Sequence, residues 1–481
     1  MVKSALLISV FLVGFLLLVS GISFSANAEE AVKKDMDGLK GYTTAYPIRI
    51  DNNDEFNVSA WYMHWPGSGT EDDPFIISGY EIDAKGNGSA IYIGNTTLYF
   101  VIQDCYLHGA KKISTPYFAG AGIILYNVSG TRHIDSVKNN IISDNDYGMY
   151  IRDTHGENIV HNDINSNTYN GIWIYHSHYI YPKYNNISHN GNSGILGYSY
   201  YASIVEYNNC TYNGHHGIAL TGGSLSENNL IYRNNCSSNG AAGIYISGST
   251  TSPAQGNNVN YNVLYNNTYG IETYKANDTF IYSNTCINNT QDGIYLYAYS
   301  TNTTVEKNHC HQNHKYGLVL YQSSSSLPVA YSKVYENNFS FNALNGIYLY
   351  NSDHNEIYNN ILYNNTGYGI SIYGGSYNTV YSNSFYFNHG STDTYDSSHV
   401  QASDSGTNNI WNLASGGNFW YDWQAPDSNH DGFVDNPYSI GGTAGSQDEL
   451  PLASDVNIPE FSVMLILPLL VLLAVILRRR T

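Results

Sequence analysis

The residues best suited to chemistry in this sequence form an acidic loop near the C-terminus. Oxygen side chains at alternate positions, with Gly432 for the sharp turn, can surround a hard cation such as Ca2+. Tyr438 stands where an EF-hand carries its last acidic ligand, so the loop is not an EF-hand. We predict a weak calcium site, with an acidic surface turn as the alternative. The residues that would hold the ion are Asp427, Asn429, Asp431, Phe433 (through its carbonyl) and Asp435.

Two histidine groups have spacings that a soft metal could use. They are His176 with His178, and His309, His311 and His314 around Cys310. Neither group contains a complete tetrahedral set of ligands, so we interpret them as polar turn residues. No Met-rich or dense His/Cys cluster is present, and copper binding is therefore not expected.

A repeated phrase, Gly-Ile-x-(Ile/Leu)-Tyr, forms the framework that must position these residues. A near-constant period of 23 to 29 residues is typical of a solenoid. The unit alternates like short strands, has no helical period and lacks the Leu ladder of leucine-rich repeats. We predict an all-β fold, a right-handed parallel β-helix with coils of about 23 residues. The repeat glycines are Gly122, Gly148, Gly171, Gly194, Gly217, Gly243, Gly270, Gly293, Gly317, Gly346 and Gly369.

Three apolar ladders define the predicted core. Because side chains alternate along a strand, the residues one and three positions after each glycine should face inward and stack. A third ladder stands seven positions before the glycine and includes four of the five cysteines. We interpret these cysteines as buried core residues, with a disulfide between adjacent coils as the less favoured alternative. The third ladder is Ile141, Ile164, Ile187, Cys210, Cys236, Val263, Cys286, Cys310, Phe339 and Leu362.

Asparagine recurs four and nine positions before the glycines. Asn tolerates the left-handed backbone that a coil corner demands, and stacked amides can hydrogen-bond along the axis. The exceptions at these positions are Asp144 and Tyr261. We predict structural Asn ladders at the corners.

An aromatic stripe is predicted on the outer face of the sheet that follows the glycines. Rings at a coil spacing of ~4.8 Å could stack against sugars, or could simply pack against each other. Among the outward positions only Arg152 and Glu272 are charged, on distant coils, so we expect no carboxylate pair and consider catalysis the weaker hypothesis. The stripe residues proposed to bind ligand are Tyr126, Tyr150, Trp173, Tyr175, Tyr198, Tyr274, Tyr295, Tyr297, Tyr321, Tyr348, Tyr350 and Tyr373.

The net charge and the two ends of the chain predict its partners and its location. A net charge of −19 repels phosphate backbones, so nucleic acid is not an expected partner. Lys3, an apolar run and the small residues 26–28 predict a signal peptide. The apolar run 461–477, closed by three arginines, predicts a transmembrane helix with the bulk of the chain outside. Sequons such as Asn57 and Asn95 suit an exported glycoprotein.

Several phrases resemble archaeal NosD-like right-handed β-helix surface proteins. They are GSGTEDDPFIISGYEI at 67–82, GNFW at 417–420, DNPYSI at 435–440 and LPL at 450–452. IPEF at 458–461 resembles a PEF-CTERM sorting signal. This resemblance implies an archaeosortase-like processing enzyme as a partner, which would cut near the motif and leave the protein lipid-anchored rather than membrane-spanning. It also implies a family linked to copper delivery, within a superfamily that includes carbohydrate-binding proteins and sugar hydrolases.

These observations predict five segments and one favoured role. The segments are a signal peptide (1–28), a capping segment (29–74), the β-helix (75–400), a C-terminal cap with the calcium loop (401–456) and a sorting or membrane anchor (457–481). The expected role is a surface-anchored binding or scaffold protein for an extracellular glycan or surface-layer component. A polysaccharide lyase or glycoside hydrolase and a copper-binding maturation factor are the alternatives.

Overall fold

The structure, a computed structural model, describes residues 41–113, 119–129, 134–222, 226–249, 251–324 and 329–455. Thr43–Asn457 form one compact unit. The other unit, Met1–Tyr42 with Ile458–Thr481, lies outside the described residues except for Gly41 and Tyr42. The predicted signal peptide and C-terminal anchor are therefore not described. Within the described ranges, no helix is both long enough and apolar enough to cross a membrane.

The architecture is an all-β, right-handed parallel solenoid, which confirms the predicted fold. Each turn adds one strand to each of its sheets, and all pairings between successive turns are parallel. The 14-stranded sheet, which follows the repeat glycines, consists of Ile48–Ile50, Ile91–Thr96, Ala121–Val128, Tyr147–Arg152, Ile172–Tyr175, Ile195–Tyr198, Ile218–Thr221, Ala242–Ser247, Tyr269–Tyr274, Ile294–Tyr297, Leu318–Tyr321, Ile347–Tyr350, Ile370–Tyr373 and Ala402–Asp404.

Three further sheets close the turns. The 13-stranded sheet consists of Phe75–Ser78, Phe100–Gln103, Val137–Lys138, Asn158–Val160, Tyr181–Lys183, Ile204–Glu206, Leu230–Tyr232, Asn258–Asn260, Phe280–Tyr282, Thr304–Glu306, Lys333–Tyr335, Glu356–Tyr358 and Thr379–Tyr381. One seven-stranded sheet consists of Thr43–Thr44, Tyr80–Asp83, Tyr106–His108, Ile141–Ser143, Asp163–Asn165, Asn186–Ser188 and Asn209–Thr211. The other consists of Val263–Tyr265, Thr285–Ile287, His309–His311, Asn338–Ser340, Ile361–Tyr363, Ser384–Tyr386 and Phe419–Trp420.

A helix and several short elements complete the solenoid. The helix Asn53–Met63 covers the first turns: its Asn52 cap accepts a hydrogen bond from the Glu55 amide at 2.8 Å, and Phe56 stacks on Phe75 at 5.2 Å. The strands Thr43–Thr44 and Ile48–Ile50 already belong to the solenoid sheets, ahead of residue 75. The remaining elements are Ala254–Gln255 with Ala276–Asn277, the antiparallel pair Tyr438–Ser439 and Gln447–Asp448, and the 3-10 turn Asn388–Gly390.

The inward ladders one and three positions after the glycines are buried as predicted. Ile172 and Ile174, for example, are wholly inaccessible and pair in register with Met149 and Ile151. Each buried aliphatic side chain contributes roughly 1.5–3 kcal/mol. The ladder therefore makes the apolar core continuous along the axis.

The predicted third ladder agrees with the structure except in two coils. Val263 is 45% exposed, and the inward residue is Leu264, which pairs with Cys286. Ile141 is likewise replaced inside by Ile142, which pairs with Ile164. Both coils have one residue fewer between this strand and the next glycine, so counting backward from the glycine misplaces the strand by one. A shift of one residue turns a strand's side chains to the opposite face.

The Asn ladders exist, and their amides hydrogen-bond along the axis as predicted, but most of their members do not take the left-handed corner conformation. Asn185 accepts hydrogen bonds from the backbone and amide nitrogens of Asn162 and donates to Asn208 at 3.0 Å. The left-handed corner residue is its neighbour Tyr184, at φ 55°. The one-residue shift also corrects four members, which are Asn140, Asn145, Asn262 and Asn267 in place of residues 139, 144, 261 and 266.

All five cysteines are buried and free, as expected for core residues. Cys286 and Cys310 face each other on paired strands. Burial raises the pKa of the Cys310 and Cys236 thiols well above the ordinary value. These thiols therefore act as small apolar side chains.

Candidate functional site

The outward face of the 14-stranded sheet carries every predicted stripe residue. Paired strands hold them in register, so Tyr175 lies beside Tyr198, and Tyr321 beside Tyr350. Most of these side chains are half-buried, whereas Tyr198 is 39% and Tyr373 55% exposed. The position of the stripe follows the predicted register, while its ligand-binding role stays a prediction.

The rings stack on one another along the solenoid axis. The ring centroids of Tyr321 and Tyr350 are 4.6 Å apart at 8°, and those of Tyr350 and Tyr373 are 5.5 Å apart at 10°. Tyr297 contacts Tyr321 at 5.7 Å and Tyr274 at 5.3 Å. Parallel stacking covers the flat faces between Tyr321 and Tyr373, whereas the Tyr297 and Tyr321 rings are tilted by 52°. Solvent therefore meets mainly ring edges and hydroxyls in the stacked part, and Tyr373 has an open flat face at the end of the row.

The stripe is divided into two segments. The column that contains Tyr198 and Tyr274 is interrupted by Thr221 and Ser247. In the first segment Arg152 lies over the Tyr175 ring at 5.3 Å and pairs with Asp153 at 3.0 Å. That guanidinium is therefore already occupied by protein groups.

The second segment contains a carboxylate between tyrosines. Glu272 pairs in register with Tyr245 on one side and Tyr295 on the other. Tyr269 lies on the same strand, and its ring stacks on Tyr295 at 5.2 Å. Within the described part of the chain, the Glu272 carboxylate accepts no hydrogen bond and forms no ion pair. Its outward position in a row of rings follows from strand alternation.

A second carboxylate acts on Glu272 from the next coil. Asp292 is 5% exposed and accepts a hydrogen bond from the Tyr316 amide at 3.1 Å. Burial raises the pKa of Asp292 to about 6. Burial and then the Asp292 charge raise the pKa of Glu272 to about 7. Asp292 precedes the glycine of its coil, outside the positions counted as outward, and it is buried. The expectation that no carboxylates pair on neighbouring coils therefore stays a prediction.

Two of the histidines predicted to be polar turn residues, His309 and His311, lie instead in the strand His309–His311. His309 and His311 flank buried Cys310, and burial lowers the pKa of His311 to about 4. His178 stacks on His155 with ring centroids 5.1 Å apart. Across the described ranges, no group of three or more His, Cys, Asp or Glu is placed to hold a metal ion.

In the acidic loop, the side-chain oxygens accept hydrogen bonds from backbone amides of the same loop. Asp427 accepts from the Asp431 amide at 3.2 Å, and Asp431 accepts from the Phe433 amide at 3.0 Å. Asn429 accepts from the Asp431 amide at 3.0 Å, and Asp435 from the Ser428 amide at 3.1 Å. The loop is thus preformed as a turn, and calcium binding stays a prediction.

Comparisons with known proteins agree on the fold. Residues 254–425 match the family model described as periplasmic copper-binding protein (NosD), and residues 121–278 match the right handed beta helix region. No curated protein sequence matches the chain significantly.

Several solved structures are similar to this chain at low sequence identity. The pre-mature gene product 12 of bacteriophage phi29 is 14% identical with a TM-score of 0.52, covering 82% of this chain and 59% of that chain. A mannuronan C-5 epimerase A-module from Azotobacter vinelandii is 15% identical with a TM-score of 0.43, covering 78% and 93%. The Dettilon tailspike protein is 14% identical with a TM-score of 0.40, covering 60% and 62%.

Among the residues that the structure describes, the donor set does not fit the copper role in the family description. Copper sites use thiolates, imidazoles or thioethers that converge on one point. Here all five thiols are buried in the apolar core. The described residues contain no convergent His/Cys/Asp/Glu group.

Proposed function

For this NosD-like parallel β-helix protein, we propose glycan binding along the outward face of the 14-stranded sheet, on the segment from Tyr245 to Tyr373. The observation that carries the proposal is the continuous tyrosine row there, with Tyr373 open at its end. Ring edges and hydroxyls offer C–H contacts and hydrogen bonds to a sugar chain that runs along the axis, and Tyr373 offers a face for stacking.

The setting of this function follows from the predicted ends of the chain. We propose that the protein is exported and held at the cell surface by its C-terminal segment. The face would then be presented to extracellular glycans or to a surface-layer component. The periplasmic description of the family supports export.

A glycan array probed with the full-length protein tests the function. Tyr350→Ala with Tyr373→Ala should weaken binding by roughly tenfold, because each lost aromatic contact contributes about 0.5–1.5 kcal/mol. The matched control is Tyr358→Ala with Tyr381→Ala, whose rings stack equally, at 5.1 Å and 9°, on the 13-stranded sheet. Equal loss in both double variants would show that the rings only stabilise the fold.

A second candidate is glycan cleavage, which Glu272 favours. A carboxyl with a pKa of about 7 can donate a proton to a glycosidic oxygen. Hydrolysis also needs a second exposed group, and Asp292 is only 5% exposed with one oxygen bound by the Tyr316 amide. Release of reducing ends from array-positive glycans, lost in Glu272→Gln, would establish this activity. Unsaturated products would indicate a lyase instead.

A further inference from the structure

We propose that Glu272, between Tyr245 and Tyr295, is the anchor that binds paired hydroxyl groups of an uncharged glycan on this face. The inference rests on the glycan-binding function proposed above and adds the class of glycan and its pH dependence.

Glu272 is an exception among the outward residues of its segment. The equivalent positions on the neighbouring coils hold Tyr245, Tyr295, Val319 and Tyr348, none of which carries a charge. A carboxylate placed between rings loses hydration, and such a loss is unfavourable unless hydrogen bonds replace it. No described residue supplies a donor to Glu272. Two neighbouring sugar hydroxyls would supply both donors, in charge-assisted hydrogen bonds.

Burial, more than the groups that face Glu272, brings its pKa close to neutral pH. Asp292, on the next coil, raises the pKa of Glu272 further, whereas Lys315 lowers the pKa of Asp292, which burial raises. Lys275 lies over the Tyr274 ring at 4.6 Å rather than beside the carboxylate. His216, stacked on Tyr245 at 4.6 Å, stays neutral because burial lowers its pKa to about 3. The remaining titratable neighbours are Tyr245, Tyr269, Tyr274, Tyr295 and Tyr316.

Electrostatics favours an uncharged ligand over a uronate polymer. A uronate carboxylate at this site would meet Glu272 and Asp292 on a protein of net charge −19. Like charges brought together without a cation oppose binding. A uronate could bind only to the protonated form of Glu272. The two classes of glycan therefore predict opposite pH dependences.

Binding of the full-length protein to matched panels of neutral and uronate oligosaccharides, at about pH 5 and about pH 8.5, tests the inference. Affinity for a neutral oligosaccharide should rise roughly tenfold from the lower to the higher pH, as neutral hydrogen bonds become charge-assisted. Glu272→Gln should remove that rise and leave residual binding through the tyrosines. Asp292→Asn should move the midpoint of the rise to lower pH, because one negative charge is removed.

Glu356→Gln is the matched control, since Glu356 lies on the 13-stranded sheet beside Lys333 at 3.7 Å. It should leave the pH dependence unchanged. A pH profile that persists in Glu272→Gln, while Tyr350→Ala with Tyr373→Ala still weakens binding, overturns the anchor but not the glycan function. Tighter binding of a uronate than of its matched neutral oligosaccharide, at either pH, overturns the ligand class. If no oligosaccharide binds at either pH, both proposals are wrong.

Discussion

Replacing Glu272 with Gln should stabilise the folded protein at alkaline pH and leave it unchanged at acid pH. The pKa of Glu272 is about 7 in the folded state against an ordinary value of 4.5. Folding thus favours the protonated carboxyl, and the unfolded chain releases its proton first as the pH rises. Stability therefore falls between about pH 4.5 and pH 7, by about 3 kcal/mol at 1.36 kcal/mol per pKa unit. Gln keeps the shape without the charge.

Thermal melts of the full-length wild type and Glu272→Gln at about pH 4 and about pH 8 measure this effect. For a unit as long as Thr43–Asn457, about 3 kcal/mol corresponds to a rise in Tm of roughly 3 °C at the higher pH. No difference is expected at the lower pH, where both side chains are neutral. Glu356→Gln, on the 13-stranded sheet, should show no such rise. A Tm of Glu272→Gln equal to or below that of wild type at pH 8 would refute the reasoning that Glu272 is a destabilising carboxylate.

Three further predictions test the core and the cap. Asn313→Ala removes four buried side-chain hydrogen bonds and should lower the free energy of unfolding, measured by denaturant titration, by about 4 kcal/mol. The control is Asn209→Ala, whose half-buried side chain hydrogen-bonds to Asn186 and Asn235. It should lower the free energy of unfolding by under about 1 kcal/mol. Calcium should raise the Tm relative to chelator, and Asp431→Ala should abolish the difference; equal melts in wild type would show that the loop is only a turn. Native-state thiol labelling should be slow, and rapid labelling would contradict burial of Cys210, Cys236, Cys286 and Cys310.

The repeat predicted the fold because every turn buries the same positions against the next turn. A glycine followed by an inward residue marks one strand per turn, and the pairing of Ile172 with Ile195 continues that register through the solenoid. The repeated phrase did not show how many residues each corner contains. Counting from Gly270 placed Val263 inside, whereas the deletion of one residue in that corner brings Leu264 inside. Only the Asn ladder, which shifts by the same residue, could have signalled this.

The sequence predicted where the candidate site lies, but not which faces and groups of its side chains are open to a ligand. Alternation put Tyr321 and Tyr350 outside, as found, but could not tell whether their rings lie flat to solvent or stack on each other. Glu272 was recognised as outward, and Asp292 was missed. Asp292 lies one residue before its glycine, where strand alternation gives way to the corner, so only the structure shows that its charge acts on Glu272.

Stacking explains why function should be sought where the repeat is broken. Asn185 is satisfied by the asparagines of the adjacent turns, and Tyr350 by the rings of Tyr321 and Tyr373. A side chain that recurs in every turn finds a partner in the next turn, so the stacked tyrosines offer a ligand mainly their ring edges, their hydroxyls and the end face of Tyr373. Glu272 has no equal in the adjacent turns and no donor among the described residues. Such a group, left incomplete by the fold, gains from a ligand the partner that its neighbours do not supply.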